Sequence, residues 1–261
     1  MSKALLLLAL PGTAVLVVAG LTAGPALADW DVGDPYKMHY PQLPDPSGWD
    51  VKASYSKVLA DDWLCTQTGP VSDLHFWGSW YKDEFRDAGP PVPSFEWFTI
   101  SIYADIPDPD DTGPEFSKPG EQLWTRVFYP GEVAVRQWGT QDQGWYDPNT
   151  SEYEEYNHKL YFQYNIENIV DPFIQQEGTI YWLAISMECN YGTWGWKTSA
   201  DHWNDDGVWR DEEPLQPTDW AELHDPLTGV SLDLAFVITP EPAAVVFLAL
   251  GSLLLRRRMR C

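Results

Sequence analysis

Residues Trp97–Asp105 read WFTISIYAD. Phe98, Ile100 and Ile102 fall on one face of a two-residue repeat, and Trp97, Thr99, Ser101 and Tyr103 fall on the other. Only a strand sorts side chains this way. The pattern recurs along the chain. HKLYFQYNIEN puts Leu160, Phe162, Tyr164 and Ile166 on one face. TIYWLAISMEC puts Tyr181, Leu183, Ile185 and Met187 on one face, and its other face is also largely apolar, as in a central strand. VSLDLAFVI turns Leu232, Leu234, Phe236 and Ile238 inward. Further strands are expected near Val51–Leu59, Trp63–Thr66, Val71–Trp80, Leu123–Phe128 and Val133–Trp138. No stretch before Ala243 repeats apolar residues at helical spacing over a useful length. Many short strands with turn residues between them predict an all-β chain, a single-domain β-sandwich or jelly roll over residues 51–238. The preceding segment, 29–50, carries Pro35, Pro41, Pro44 and Pro46, which exclude a stable helix and a central strand. It is expected to run as an extended lead-in over the domain surface.

Charge narrows the partners. The chain carries 39 Asp and Glu against 16 Lys and Arg, a formal net charge of −23. All the acids lie between residues 29 and 242, whereas Lys3, Arg256, Arg257, Arg258 and Arg260 lie outside that span. The body is therefore more acidic than the whole, and a phosphate backbone is an unsuitable partner for it. Fifteen Trp, 13 Tyr and 10 Phe accompany the acids, which separates this composition from a disordered acidic tail.

The two ends read as addresses. Lys3 precedes an apolar stretch from Ala4 to Val18. GPALA then places the small residues Ala26 and Ala28 before the acidic DWD, the pattern of a secretory signal cut after Ala28 by signal peptidase. At the other end, Ala243–Leu255 is a 13-residue apolar run followed by four arginines. At about 1.5 Å per residue it reaches about 20 Å, short of a hydrocarbon layer of about 30 Å. Snorkelling of Arg256, Arg257 and Arg258 extends its reach, and the positive-inside rule places them in the cytoplasm. The expectation is a short transmembrane anchor helix. The order Pro240-Glu241-Pro242, apolar run, basic end resembles the PEP-CTERM sorting signal of bacterial surface proteins. That resemblance implies processing by a membrane-embedded cysteine protease, an exosortase. It also implies delivery to the cell surface or extracellular matrix, often in company with exopolysaccharide.

KVLADDWLCTQTGPVSDLHFWGSW, FTISIYADIP, LWTRVF, YWLAISMEC and WGWKTS occur in that order. Together with the lead-in KMHYPQLPDPSGWDV they resemble a β-sandwich domain of unknown function found in exported bacterial proteins with such tails. The resemblance spans roughly residues 36–238. It implies a fold and a compartment, and no activity.

Candidate sites follow from local chemistry. WGWKTSADHWNDDGVW gathers Trp194, Trp196, Trp203 and Trp209 with Asp201, Asp205 and Asp206. Rings that stack on sugar C–H faces, beside carboxylates that take hydroxyls, make a glycan-binding face. Core packing of the rings is the competing reading. YADIPDPDDTGPEF offers Asp105, Asp108, Asp110 and Asp111 as oxygen ligands for Ca²⁺, but lacks the EF-hand order, so a solvated acidic loop competes. Asp61 and Asp62, at a strand entry, point to opposite faces and so do not chelate one cation together; one of them is expected to cap a turn. Glu152–Tyr156, EYEEY, is expected to be an exposed hairpin arm. Cys65 and Cys189 either form a disulfide after export or stay as buried thiols. No nucleophile elbow, zinc-protease helix or P-loop is present, and the five histidines lack metal-ligand spacing. The expected function is therefore that of a non-catalytic, exported, surface- or matrix-sorted protein associated with polysaccharide, either binding it or building the matrix. A glycan-active enzyme and a purely structural envelope protein are the alternatives.

Overall fold

The computed structural model describes residues 29–84, 95–108, 115–213, 215 and 218–240. Among these, regular structure is β-strand apart from two short 3-10 turns. The first strands are β1 (Trp49–Lys52), β2 (Lys57–Leu64), β3 (Gly69–Pro70), β4 (Asp73–Trp80), β5 (Trp97–Ile106), β6 (Lys118–Phe128), β7 (Val133–Asp147) and β8 (Glu152–Ile166). The rest are β9 (Ile174–Gln175), β10 (Ile180–Glu188), β11 (Trp194–Ser199), β12 (Val208–Asp211), β13 (Ala221–Glu222), β14 (Asp233–Leu234) and β15 (Phe236–Thr239). A seven-stranded sheet runs β14-β11-β1-β7-β8-β4-β15 and a six-stranded sheet runs β13-β12-β2-β10-β5-β6. The short pair β3 and β9 stands apart. Most neighbours are antiparallel, whereas β1 and β7 are parallel.

The alternation read in the sequence sets the layers. Phe98, Ile100 and Ile102 of β5, Leu183 and Ile185 of β10, and Phe162, Tyr164 and Ile166 of β8 all lie in one buried cluster. Aromatic rings tie the two sheets together. Phe98 of the six-stranded sheet meets Phe76 at 5.1 Å, Tyr164 at 5.2 Å and Trp194 at 5.1 Å, each in an edge-to-face arrangement. Trp63 of β2 meets Phe236 of β15 in the same way. The opposite face of the six-stranded sheet carries a smaller apolar cluster of Val58, Ala60, Tyr103, Trp182, Ala184 and Val208, against which Phe116 and Trp220 pack.

The seven-stranded sheet closes on itself. Gly195 and Trp196 of β11 pair with β1 along one edge and with β4 along the other. With β4–β8, β8–β7 and β7–β1, the pairings complete a ring of five strands. Two hydrogen bonds join strands that are not neighbours in the ring and so cross its interior. Ser79 of β4 donates to Gln143 of β7 at 3.4 Å, and His158 of β8 meets Asp50 of β1 at 2.9 Å. Closure requires β4 and β11 to approach closely at Gly78. A Cβ there would press into the Gly195 carbonyl oxygen and the Trp194 ring.

The lead-in differs from its expected place. It crosses the molecule as part of the fold, because its backbone completes the ladders of later strands. Lys37 N–H donates to Ile238 O at 2.7 Å, Gln42 N–H to Phe236 O at 3.2 Å and Asp45 N–H to Thr198 O at 2.9 Å. Trp30, Met38 and Gln42 are buried, and β1 begins at Trp49, before the expected domain boundary. Arg136 holds the start of this segment through Trp30 O and Asp31 Oδ1, both at 2.7 Å. Instead of a continuous ladder, single bridges fasten this proline-rich chain, Met38 with Cys65, Gln42 with Phe236 and Pro44 with Ser199.

No helix among the described residues is long and apolar enough to cross a membrane. Ala26, Ala28, Glu241, Pro242 and Arg256–Arg258 lie outside the described residues, as does the expected anchor helix, so the export and sorting readings rest on sequence.

Gly78→Ala is expected to cost about 1–3 kcal/mol, because the added methyl meets backbone and a ring that cannot swing aside. A urea unfolding curve with an unchanged midpoint would show that the ring does not close at this residue.

Candidate functional site

Of the proposed glycan face, the structure buries the part expected to do the stacking. Trp194 and Trp196 share a face of β11, as period 2 requires, but that face lies in the core between the sheets, and both side chains are fully buried. The Trp196 indole N–H donates to Ala235 O at 2.9 Å. Trp209 is half-buried and packs on the same core. Trp203 is spent on the lead-in, stacking on His39 with centroids 4.0 Å apart and planes 17° from parallel. The four tryptophans therefore form no platform.

Cys65 and Cys189 are both free. The register explains why. Cys65 N–H bonds to Thr179 O at the start of β10, and Cys189 follows the end of that strand. They are separated by the length of β10, roughly 30 Å, against the ~7 Å limit for Cα atoms in a disulfide.

Asp61 and Asp62 are not turn caps at a strand end. They lie within β2, and both are buried. Asp61 accepts from Gln42 Nε2, from Leu234 N–H and from Asp62 N–H. Asp62 Oδ2 accepts from Asn204 Nδ2 at 2.8 Å, while its Oδ1 is buried without a partner. Asp233 of β14 receives the Trp203 N–H at 2.7 Å and the His202 ring at 3.2 Å. Burial raises all three carboxyls; Asp233 and Asp62 add to the rise at Asp61, Asp205 and Asp233 to that at Asp62, and Asp206 to that at Asp233, which is raised to about 6. Together the three acids fasten lead-in residue Gln42 and loop 202–204 onto β2 and β14.

The calcium candidates separate in role. Asp105 Oδ1 accepts the Trp182 indole N–H at 2.8 Å, and burial raises its carboxyl. Asp108 is placed by its own N–H, which donates to Ser117 Oγ at 2.9 Å. Asp205 belongs to the same acidic neighbourhood. Burial raises its carboxyl, and Asp105, Asp206 and Asp108 add to the rise. The two acidic stretches that the sequence presents 100 residues apart thus meet at one end of the six-stranded sheet. Asp110 lies outside the described residues. No group of three acids, histidines or cysteines among the described residues is arranged to hold a metal ion.

Two features carry more chemistry than the predicted sites. The first is a cleft of about 700 Å³ beside the ring. Its walls include Asp45, Ser47, Asp142, Glu155, Tyr156, Asp225, Thr228 and Ser231, with Trp49, Gln143, Gly144 and Thr198 between them. Core-anchored groups build it. The Trp49 indole N–H donates to Asp225 Oδ2 at 2.7 Å, and Asp225 Oδ1 accepts from Leu227 and Thr228 N–H. Thr198 Oγ1 bonds both the N–H and the carbonyl of Trp49 at 3.0 Å. Gly144 lies against the Trp49 ring with no room for a Cβ. Tyr156, at the end of the predicted arm farthest from the β7–β8 turn, is 75% exposed.

The second lies inside the ring, next to the cleft. Asp50 and Lys197 face each other across β1 and β11, and His158 approaches from β8. All three side chains have no solvent exposure. Asp50 Oδ2 is 3.1 Å from Lys197 Nζ and 2.9 Å from His158 Nε2. Lys197 Nζ also donates to the carbonyl of Gly48, a residue of the cleft lining, at 3.1 Å. Asp50 Oδ1 has no partner. Burial opposes the Asp50 charge, but Lys197 and His158 outweigh it and hold the carboxyl below its usual range. Burial pushes the Lys197 ammonium down, and Asp50 only partly offsets that. Sequence reading misses this set because Asp50 ends the Pro-rich segment, while Lys197 and His158 sit in strands selected for their apolar faces. An isolated Lys within WGWKTS is the one available signal.

The pH dependence of the acid set has a definite sign. Asp233 binds its proton more tightly folded than unfolded, so its contribution to stability is largest below about pH 4 and is lost as pH rises through about 6. Asp233→Asn removes this titration and keeps an acceptor for Trp203. Stability of the variant relative to wild type is expected to rise by the order of 2–3 kcal/mol between pH 4 and 7. Parallel urea titrations of the two proteins check it, and a pH-independent difference would rule it out.

Comparison with known proteins gives a family and adds no activity. No curated protein and no solved structure matches the chain. The family described as a domain of unknown function (DUF7901) matches residues 38–239, which run from the lead-in bridge at Met38 to the last residue of β15. The chain belongs to that family.

Proposed function

We propose that this chain is an exported β-sandwich protein, sorted by its tail to the cell surface or matrix, whose cleft holds a neutral polysaccharide without cleaving it. The cleft is the observation that carries the reading. Its volume suits a few sugar residues, and its lining alternates carboxylates, hydroxyls and amides that can take sugar hydroxyls. The exposed ring of Tyr156 offers a stacking face at the rim. Asp45, Asp142, Glu155 and Asp225 make the lining anionic, which disfavours polymers rich in carboxylate or sulfate.

Binding is favoured over hydrolysis because several of these acids already have structural tasks. Asp45 holds the N–H and hydroxyl of Ser47, Asp225 holds Trp49 and a turn, and Asp142 pairs with Lys159 at 3.0 Å. The sorting part of the reading is supported by position. The last strand ends at Thr239 and the Pro-Glu-Pro follows at once, so the tail is appended to a finished domain.

Purified protein is expected to bind a neutral glycan on a polysaccharide panel. Tyr156→Ala is expected to weaken that binding about tenfold, about 1.4 kcal/mol, with thermal unfolding unchanged. Absence of binding by the wild type, or equal binding by the variant, rejects the cleft. For sorting, deletion of Pro240–Pro242 is expected to leave the protein in the membrane fraction, and normal release of the deleted form would count against the tail.

A further inference from the structure

The buried charges inside the ring have a use that the glycan reading does not require. We propose that Lys197 and Asp50 condense into an intramolecular isopeptide bond, a covalent staple between β11 and β1.

Four observations carry it. The two residues are direct cross-strand partners, so their side chains leave the same face of the ladder. Lys197 Nζ already lies 3.1 Å from Asp50 Oδ2, in direct contact with the carboxyl whose carbon it must attack. Neither side chain is exposed, so water cannot compete for either group. The carboxyl has an oriented third group, because His158 Nε2 lies 2.9 Å from the same oxygen, Oδ2, that faces the amine.

The step balances without an added reactant. Lys197 and His158 keep Asp50 as the carboxylate at rest, and the reaction begins when the ammonium passes a proton to it, giving a neutral amine and a carboxylic acid. The Lys197 nitrogen pair attacks Asp50 Cγ, and an Nζ–Cγ bond forms. His158 holds the proton on Oδ2 as the Cγ–Oδ2 bond breaks. A second amine proton follows to that oxygen, and one water leaves. No group is oxidised or reduced. Gly48, whose carbonyl holds the Lys197 ammonium, also lines the adjoining cleft.

Electrostatics favours the product. A buried ion pair keeps two charges away from water, and here Asp50 Oδ1 has no donor to compensate it. Condensation removes both charges and turns that orphaned carboxylate oxygen into a neutral amide oxygen. Burial also lowers the Lys197 pKa, which favours the amine that must attack. The product joins positions 147 residues apart in a fold whose two described cysteines are unpaired.

Mass spectrometry of the full chain tests this. The termini of the purified protein are mapped first, and its intact mass is compared with the mass of the mapped sequence. The wild type is expected to be lighter by one water. Its digest is expected to contain a branched peptide joining the segments that bear Asp50 and Lys197. Lys197→Met and Asp50→Ala are expected at full mass. A wild type at full mass, with Asp50 and Lys197 in separate linear peptides, overturns the proposal. So does a one-water deficit that persists in Lys197→Met, since the dehydration then lies elsewhere. If either variant fails to fold, the wild-type peptide map decides alone.

Discussion

Both faces of the seven-stranded sheet are taken out of water, and the rest of the architecture answers to that constraint. One face packs its aromatic side chains against the six-stranded sheet, with Phe76, Tyr164 and Trp194 gathered around Phe98. The other face cannot find a second sheet, so the strands curl until β11 meets β4 and enclose it. What they enclose is polar. A single charge in that position would cost several kcal/mol, so Asp50, Lys197 and His158 come as a set. The set draws on β1, β11 and β8 at once and therefore pins the ring in one register. Because β1 follows directly on the lead-in, the 29–48 segment has to be threaded across the molecule for the ring to close, which is why its backbone bonds to Ile238, Phe236 and Thr198.

The strands were legible where one face was apolar and the other was not. In β5 and β8 the alternation identifies both the element and its inward side. It fails where a strand is buried on both sides. In β11 the pair Trp194 and Trp196 is correctly placed on one face, but a stacking platform and a core face have the same spelling, and only the sheet opposite decides between them. Proline misled in a similar way. It excludes regular ladders, yet a chain can still lie buried through single bridges, as Met38 and Gln42 do. Register was not legible at all. The same nine-residue run of β10 that keeps Cys65 from Cys189 is a matter of pairing, as is the meeting of Asp50 with Lys197. The exposed hairpin arm at Glu152–Tyr156 was readable because five polar or amphipathic residues in succession leave a strand nothing to bury.

The acidity of the body is not spread evenly over a solvated surface. Part of it is concentrated at one end of the six-stranded sheet, where Asp105 and Asp205 raise the proton affinity of Asp62, and Asp105 that of Asp205, on top of the effect of burial. Such an arrangement gives up stability at neutral pH in exchange for hydrogen bonds that hold irregular chain. Asp61 takes the Gln42 amide, Asp62 takes Asn204 and Asp233 takes Trp203. Carboxylates are suited to this because each offers two acceptor oxygens to backbone and side-chain N–H groups that no strand partner can satisfy. The residues that looked like a ligand site in sequence are, in the fold, fasteners for the loop and the lead-in.

The same logic gives the cleft its rigidity. Its floor is the seam where β1, β7 and β11 come together, and its central ring, Trp49, is fixed from three sides. Gly144 leaves space for the ring, Thr198 bonds the Trp49 backbone and Asp225 takes the indole N–H. Asp225 then sets the turn that forms one wall through Leu227 and Thr228. A wall positioned by a core tryptophan needs little ordering when a ligand arrives, so more of the contact energy appears as affinity. In the proposed glycan complex the Tyr156 ring sits instead on the exposed arm, where it can adapt to the ligand. A fixed polar wall facing an adjustable aromatic rim suits an extended, uncharged polymer better than a compact charged one, because successive sugars present similar hydroxyls to the wall while their apolar faces vary in height.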